Sequence, residues 1–501
     1  MSHRWPSLVG MSTQTPTRHS RRWIEDWRPE DPDFWASTGR RVARRNLVWS
    51  IFAEHLGFSV WLIWSVSSAF LVATGFDYSP QQLFLLVALP NLVGSLLRLP
   101  YTFAVPKFGG RNWTMASAAL LLIPTLGFAY AVQRPDTPYW VFCLIAATAG
   151  LGGGNFASSM ANINFFYPAA KKGAALGLNA AGGNVGVALI QLLLPVIVGG
   201  AGIFGLVKAS EGGIDLQRAA WVYAGLAVVA TLAAYLFMDN LSTAKSSPRE
   251  QLQVVRKRQT WIMAFLYIGT FGSFIGYSAA MPLLIKLNFW VPEPAPLGTG
   301  IYFAYYAFLG ALVGSATRPF GGWLADRLGG AKVTLGAFGA MVVFALAVLW
   351  TLMQLTPNPT ADPAIASANQ SWFPWFLGFF LCVFAATGIG NGSTYKMIPA
   401  IWRTEAERVT APGTPERSAA LLAGTKQASA AIGVIGAVGA IGGFLIPMAF
   451  SAPWVADPMS ATKGAFLVFT VFYVVCGVVT WAVYLRRPAE VRAQSLAGAG
   501  I

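Results

Sequence analysis

The chain has 501 residues, of which 55% are hydrophobic and 11% charged, and its formal net charge is +15. Soluble domains carry about 25% charged residues, and a water-soluble chain with this balance would expose apolar patches large enough to aggregate. Soluble, disordered and fibrous classes are excluded, which leaves a polytopic membrane protein.

The first 46 residues are polar and rich in Trp, Arg and Asp. They hold no apolar stretch of the kind a cleavable signal peptide needs. Segment 23–35 (WIEDWRPEDPDFW) reads either as a short interfacial element or as a tethered loop. A spanning helix needs about 20 mostly apolar residues. Twelve such stretches follow: 47–74, 81–107, 113–132, 139–167, 173–199, 219–238, 261–287, 301–324, 332–355, 372–401, 417–448 and 463–485. They are too long and too uniformly apolar for barrel strands of about ten alternating residues. The predicted fold class is an all-α membrane protein. Its divisions are a tail over 1–46, a six-helix half over 47–238, a linker over 239–260, a second six-helix half over 261–485 and a C-terminal tail over 486–501.

Lys and Arg set the orientation. With the N-terminus inside, the inside segments carry 26 of them and the outside loops 5. Both termini are therefore expected in the cytoplasm and the chain in the inner (plasma) membrane. The sequence pI near 9.9 reflects this topology bias, so no nucleic-acid partner is expected. The three cysteines and three histidines are too scattered for a disulfide framework or a metal cluster, and no cofactor is expected. No nucleophile, base and metal constellation points to an enzyme. The protein is expected to work as a monomer in the lipid bilayer.

The second and eighth spans align at a fixed offset. Leu92-Val93-Gly94-Ser95 matches Leu312-Val313-Gly314-Ser315, Arg98 matches Arg318, Lys107 matches Arg327, and Gly109-Gly110 matches Gly329-Gly330. Two parallel halves related by an axis along the membrane normal are a transporter architecture, with the substrate near the midplane between them. The segment Gly321 to Lys332 (GGWLADRLGGAK), which contains Asp326 and Arg327, resembles the signature of the major facilitator superfamily. Its first-half counterpart has Pro106 where the Asp would fall.

Arg98 and Arg318 each lie nine residues before the basic residue that ends their helix, roughly 13 Å deep at 1.5 Å per residue. An intramembrane charge costs at least ~2.5–3.5 kcal/mol and is a functional hypothesis by default. Snorkelling is awkward at that depth. No carboxylate appears deep in a span to pair with them, the nearest being Glu54. Two such arginines call for an anion, since guanidinium offers paired N–H donors to planar oxyanions. A trigonal or bent monoanion, such as nitrate or nitrite, fits between two forks. A tetrahedral dianion is not excluded by these residues. In the fourth and fifth spans, Asn179 and Asn184 can donate to such an anion, while the glycines around them also read as helix-packing seams.

At this point the resemblance narrows. GGNFASSM in the fourth span, LGLNAAGGNVGVA in the fifth and GTKQASAAIGVIGAVGAIGGFLIP in the eleventh resemble the nitrate/nitrite porter family of that superfamily, across about residues 24 to 485. The resemblance implies that Arg98 and Arg318 clamp nitrate or nitrite. It also implies that Phe156, Tyr267 and Phe271 form an aromatic cage, with Asn184 as the polar residue of the fifth span. Tyr267 and Phe271 are spaced i, i+4 and share a helix face. Nitrate does not titrate near neutral pH, so proton-coupled import needs a protonatable side chain. Glu54 and His55 read either as that site or as a gating pair. Lys396 reads as a source of positive potential or as a snorkelling residue, and Lys426, at the start of the eleventh span, as a snorkelling residue. The leading expectation is a nitrate/nitrite transporter, importing nitrate with protons or exchanging it for nitrite. The alternatives are a porter for another small anion and a non-translocating sensor.

Overall fold

The computed structural model describes residues 18–19, 23–199, 213–244, 253–291, 299–357, 363–411, 413–452, 455 and 457–486. Positions 1–17 and 20–22 of the expected N-terminal tail, positions 245–252 of the expected linker and positions 487–501 of the C-terminal tail lie outside the described residues. Among the described residues, eleven helices are long and apolar enough to cross a membrane. They are α1 (Pro32–Thr74), α2 (Pro80–Phe108), α3 (Gly110–Ala131), α4 (Tyr139–Phe166), α5 (Ala170–Ile197), α6 (Leu216–Phe237), α7 (Arg258–Phe289), α9 (Gly330–Met353), α10 (Phe373–Arg408), α11 (Pro415–Phe450) and α12 (Pro458–Leu485). Between α7 and α9 stands α8, Ala307–Leu328, a 22-residue helix. Arg318, Pro319 and the paired Gly321 and Gly322 make it too polar to join the eleven by composition.

The helix ends are written in local chemistry. Helix α2 begins with a capping box: the Ser79 hydroxyl accepts from the Gln82 amide while Gln82 reaches back to the Ser79 N–H, with Pro80 in the first turn. Helix α1 is capped by the Asp31 carboxylate, which accepts from the amides of Asp33 and Phe34. The matched glycines of the internal repeat end α2 and α8 in the same way. Gly109 and Gly329 sit at φ 87° and 92°, in backbone territory that side-chain-bearing residues avoid, and each amide bonds back to the helix at 2.9 Å.

Helix α1 starts at Pro32, not near residue 47, because the Asp31 cap and Pro32 nucleate helix before the apolar run begins. Segment 23–35 is packed. Trp23–Ile24 pairs in parallel with Asn240–Leu241 just beyond α6. Trp27, Phe34 and Trp35 are buried against Phe166, Leu241 and Ala244, and the Trp27 indole donates to the Phe165 carbonyl at 3.1 Å. Beside this cluster, buried Asp239 accepts from Arg45 and Asn46 of α1.

The most apolar stretches of α1 and α7 are 89% and 94% buried, whereas those of α6, α9 and α12 are 39% buried. The outer helices turn bulky apolar side chains outward, among them Trp221, Leu232, Val343, Trp350, Val468 and Val478, as a lipid-facing surface requires. Between the halves, α2 packs on α11, α5 on α8 and α1 on α7. At one end of this seam, Phe70 of α1 meets Phe303 just before α8 at 5.1 Å, and Lys286 of α7 donates to the Ala69 carbonyl at 2.6 Å. The Gly109 and Gly329 turns mark the opposite end.

Candidate anion-binding site

Arg98 is brought to the seam by α2 and Arg318 by α8, the two helices of the repeat. Arg98 is fully buried and Arg318 is 6% exposed. Arg98 Nε donates to the Gly153 carbonyl of α4 at 3.1 Å, and its Nη1 donates to the Gly436 carbonyl of α11 at 3.0 Å. Its Nη2 has no partner, nor has Nη1 of Arg318. A buried N–H left unpaired is costly, so both guanidiniums hold donor capacity in reserve for a ligand.

Aromatic rings enclose the pair. The Arg98 guanidinium lies 4.9 Å from the Phe156 ring centroid, 4.8 Å from Phe271 and 5.4 Å from Trp61. The Arg318 guanidinium lies 5.7 Å from that same Phe156 ring and 5.5 Å from Tyr395. Phe156 thus stands between the two cations. Phe271 stacks on Phe156 with centroids 6.3 Å apart and on Tyr267 at 5.3 Å. Ring faces are electronegative and favour nearby cations, which offsets part of the cost of burying two positive charges together. The hydroxyls of Tyr267 and Tyr395 are buried and unpartnered. Glycine lets this cluster close: a Cβ on Gly439 would fall 2.5 Å from the Tyr267 ring.

Phe156, Tyr267, Phe271, Arg98 and Arg318, all singled out in the sequence, therefore come together. Tyr395 and Trp61 join them without having been foreseen as site residues. Tyr395 lies in the run Gly390 to Lys396, but one aromatic residue in an apolar span carries no periodic signal that separates a site role from packing.

The fifth-span asparagines divide. Asn184 is buried with neither side-chain atom hydrogen-bonded, as a residue awaiting a ligand would be. Asn179 instead donates to the Glu54 carboxylate, together with Ser159. Glu54 is 1% exposed and feels the charge of both Arg98 and Arg318. A buried carboxylate does accompany the arginines after all, contrary to the reading that none lies deep enough. The packing of α1 on α4 and α5 puts it there, with Ser159 and Asn179 holding the carboxylate. Glu54 lies well inside the bundle, one turn from Phe58, whose ring contacts Phe156 at 6.2 Å.

His55 points away from this group, with Nδ1 3.2 Å from the Gly182 carbonyl of α5. Lys396 does not reach the arginines either: it pairs with Asp326 at 2.8 Å, and the two side chains are 44% and 59% exposed. The Arg327 guanidinium sits 4.1 Å from the Trp323 ring, and Lys426 is exposed. The Asp326–Lys396 pair joins α8 to α10 near the signature turn, so the pair is a contact at the mouth of the bundle.

The geometry sets two guanidiniums with unpartnered N–H donors around one aromatic ring where the two halves meet. Residues 55–414 match the family profile of the Major Facilitator Superfamily. The nitrate/nitrite transporter NarU of Escherichia coli (strain K12) is 40% identical over 478 residues, covering 94% of this chain and 98% of that one. The chain belongs to the nitrate/nitrite porter family of the major facilitator superfamily. A second relative of this porter, named "Probable nitrate/nitrite antiporter NarK2", from Thermus thermophilus, is 37% identical over 93% of this chain and 98% of its own. Among solved structures, a D-xylose-proton symporter matches with a TM-score of 0.55 at 15% identity, over 87% of this chain and 96% of its own. An inward-facing, unoccupied bacterial homolog of the human lysosomal transporter Spinster matches with a TM-score of 0.54 at 15% identity, over 88% and 96%. These two likenesses establish that the porter has the facilitator fold.

Proposed function

We propose that the protein carries nitrate and nitrite across the inner membrane by alternating access, as a monomer with both termini in the cytoplasm. The relatives named as nitrate/nitrite transporters support the substrate. The excess of Lys and Arg in the inside segments supports the orientation.

The observation that carries the reading is the pairing of unpartnered N–H donors on Arg98 and Arg318 across one shared ring, Phe156. Guanidinium forks suit planar oxyanions, and flat aromatic walls suit a flat, weakly hydrated ion. Two arginine donors and two tyrosine hydroxyls would serve the three oxygens of nitrate.

The repeat makes alternation natural, since each half contributes one arginine from an equivalent helix. A bound monoanion draws the two guanidiniums together, and its departure lets them separate. The test is uptake of labelled nitrate into proteoliposomes, with nitrite, phosphate and formate as competitors. Nitrate uptake competed by nitrite alone is the expected result. Uptake of phosphate or formate without uptake of nitrate would refute the assignment.

A further inference from the structure

Glu54 is a carboxylate buried among helices with lipid on their far side, a placement that is expensive and usually functional. Its oxygens are not equivalent. One accepts from Ser159 of α4 and Asn179 of α5, and the other, Oε1, has no partner. Ser50 of α1 donates in turn to the Ser159 hydroxyl at 3.2 Å. The charged and titratable groups that face Glu54 are Arg98 from α2, Arg318 from α8 and the Tyr395 phenol from α10. His55, next on the same helix, is turned to the Gly182 carbonyl. Two cations and one carboxylate thus share one buried cluster.

We infer that Glu54 couples anion movement to protons: its carboxylate and the transported anion alternate as counter-charge to Arg98 and Arg318, and one proton crosses with each anion imported. The inference rests on the anion reading given above. Without substrate, the ionised carboxylate leaves the cluster at +1, and the halves can close over it. When nitrate binds, two anions crowd the same pair of guanidiniums. A proton taken up on free Oε1 removes that repulsion and returns the cluster to +1. The charge buried at closure is then the same for the empty, deprotonated carrier and for the loaded, protonated one. The loaded, protonated carrier can also swap nitrate for nitrite without releasing its proton, so exchange persists as a second mode. By linkage, each ligand strengthens the binding of the other by the same factor.

Nitrate titrations of the purified full-length protein from pH 5.5 to 8.5, read by tryptophan fluorescence, test the inference. Wild-type affinity should weaken at least ten-fold as pH rises through the titration of Glu54, and Glu54→Gln should be flat within two-fold. In proteoliposomes, Glu54→Gln should lose uptake driven by a pH gradient yet still exchange external nitrate for internal nitrite. Should that variant fail to fold, Ser159→Ala decides: loss of one donor to the carboxylate should move the pH midpoint of nitrate binding. Wild-type nitrate affinity that ignores pH, or pH-driven uptake surviving in Glu54→Gln, overturns the coupling role alone. Wild type that binds neither nitrate nor nitrite at any pH overturns the substrate reading, and the coupling role with it.

Discussion

Arg98 of the first half donates Nη1 to the main-chain oxygen of Gly436 in the second half, 3.0 Å away. A charged side chain from one half thereby holds the backbone of the other at the level of the cage, and the same guanidinium keeps Nη2 unpaired for a ligand. Any substrate that engages Nη2 acts on a group already bridging the seam.

Replacing either arginine by lysine keeps the charge and removes the fork. Arg98→Lys cannot satisfy Gly153, Gly436 and an anion along the same directions, and Arg318→Lys loses its planar contact with Phe156 and Tyr395. Each variant is expected to lose nitrate uptake by at least 100-fold, equivalent to about 2.7 kcal/mol of transition-state stabilisation. Uptake in proteoliposomes at matched protein content measures it, and near-normal rates in both variants would dismiss the clamp.

Phe156 contacts both cations, so its ring face contributes twice. Cation–π contacts contribute about 0.5–2 kcal/mol each. Phe156→Ala is expected to weaken nitrate binding by roughly ten-fold while the protein still elutes as a folded species in detergent. Unchanged affinity would return Phe156 to a packing role.

The phenols of Tyr267 and Tyr395 are unpaired donors in the aromatic cluster around the arginines. Tyr395→Phe and Tyr267→Phe keep the rings and remove only hydroxyls. If those hydroxyls bind the anion, each loss should weaken nitrate about 10- to 150-fold, in line with hydrogen bonds to a charged acceptor of roughly 1.5–3 kcal/mol. The double variant tells site from packing: an affinity equal to wild type would exclude both hydroxyls from the site.

The exposed Asp326–Lys396 pair should matter little to the resting fold. Solvent-exposed ion pairs contribute about 0–1 kcal/mol, so Lys396→Gln should leave thermal stability nearly as it is and nitrate affinity within two-fold. A large drop in affinity would restore Lys396 to the binding field.

Buried Asp239 is the opposite case. Removing it strands Arg45 and Asn46, whose partner it is, at the junction where the strand Trp23–Ile24 meets Asn240–Leu241. The Arg45 side chain is 37% exposed, so water takes over part of the lost contact and the cost is about 1–3 kcal/mol. Asp239→Ala should show as a clear drop in the unfolding temperature by fluorescence-detected chromatography, with nitrate affinity of the surviving fraction little altered.

Composition, span length and the distribution of Lys and Arg were enough to read a polytopic helical protein, because lipid leaves long apolar helices as one of few workable solutions. The match of Arg98 to Arg318, and of Gly109 to Gly329, was visible because a duplicated fold keeps special residues at equivalent places. The cage rested on motif resemblance, since three aromatic residues on two spans carry no periodicity that distinguishes a ligand wall from a core. What lies across helices was out of reach. Glu54 looked shallow because position along a span does not say what a helix meets, and it is the packing of α1 on α4 and α5 that sets its carboxylate against Ser159 and Asn179. Asn179 looked like an anion ligand until α1 and α5 set it against Glu54, and Lys396 looked intramembrane until α8 supplied Asp326. A single sequence records which side chains are polar and how far along a helix they lie. Only helix packing decides which of them meet, because a buried charge settles on whatever partner the neighbouring helix brings within reach.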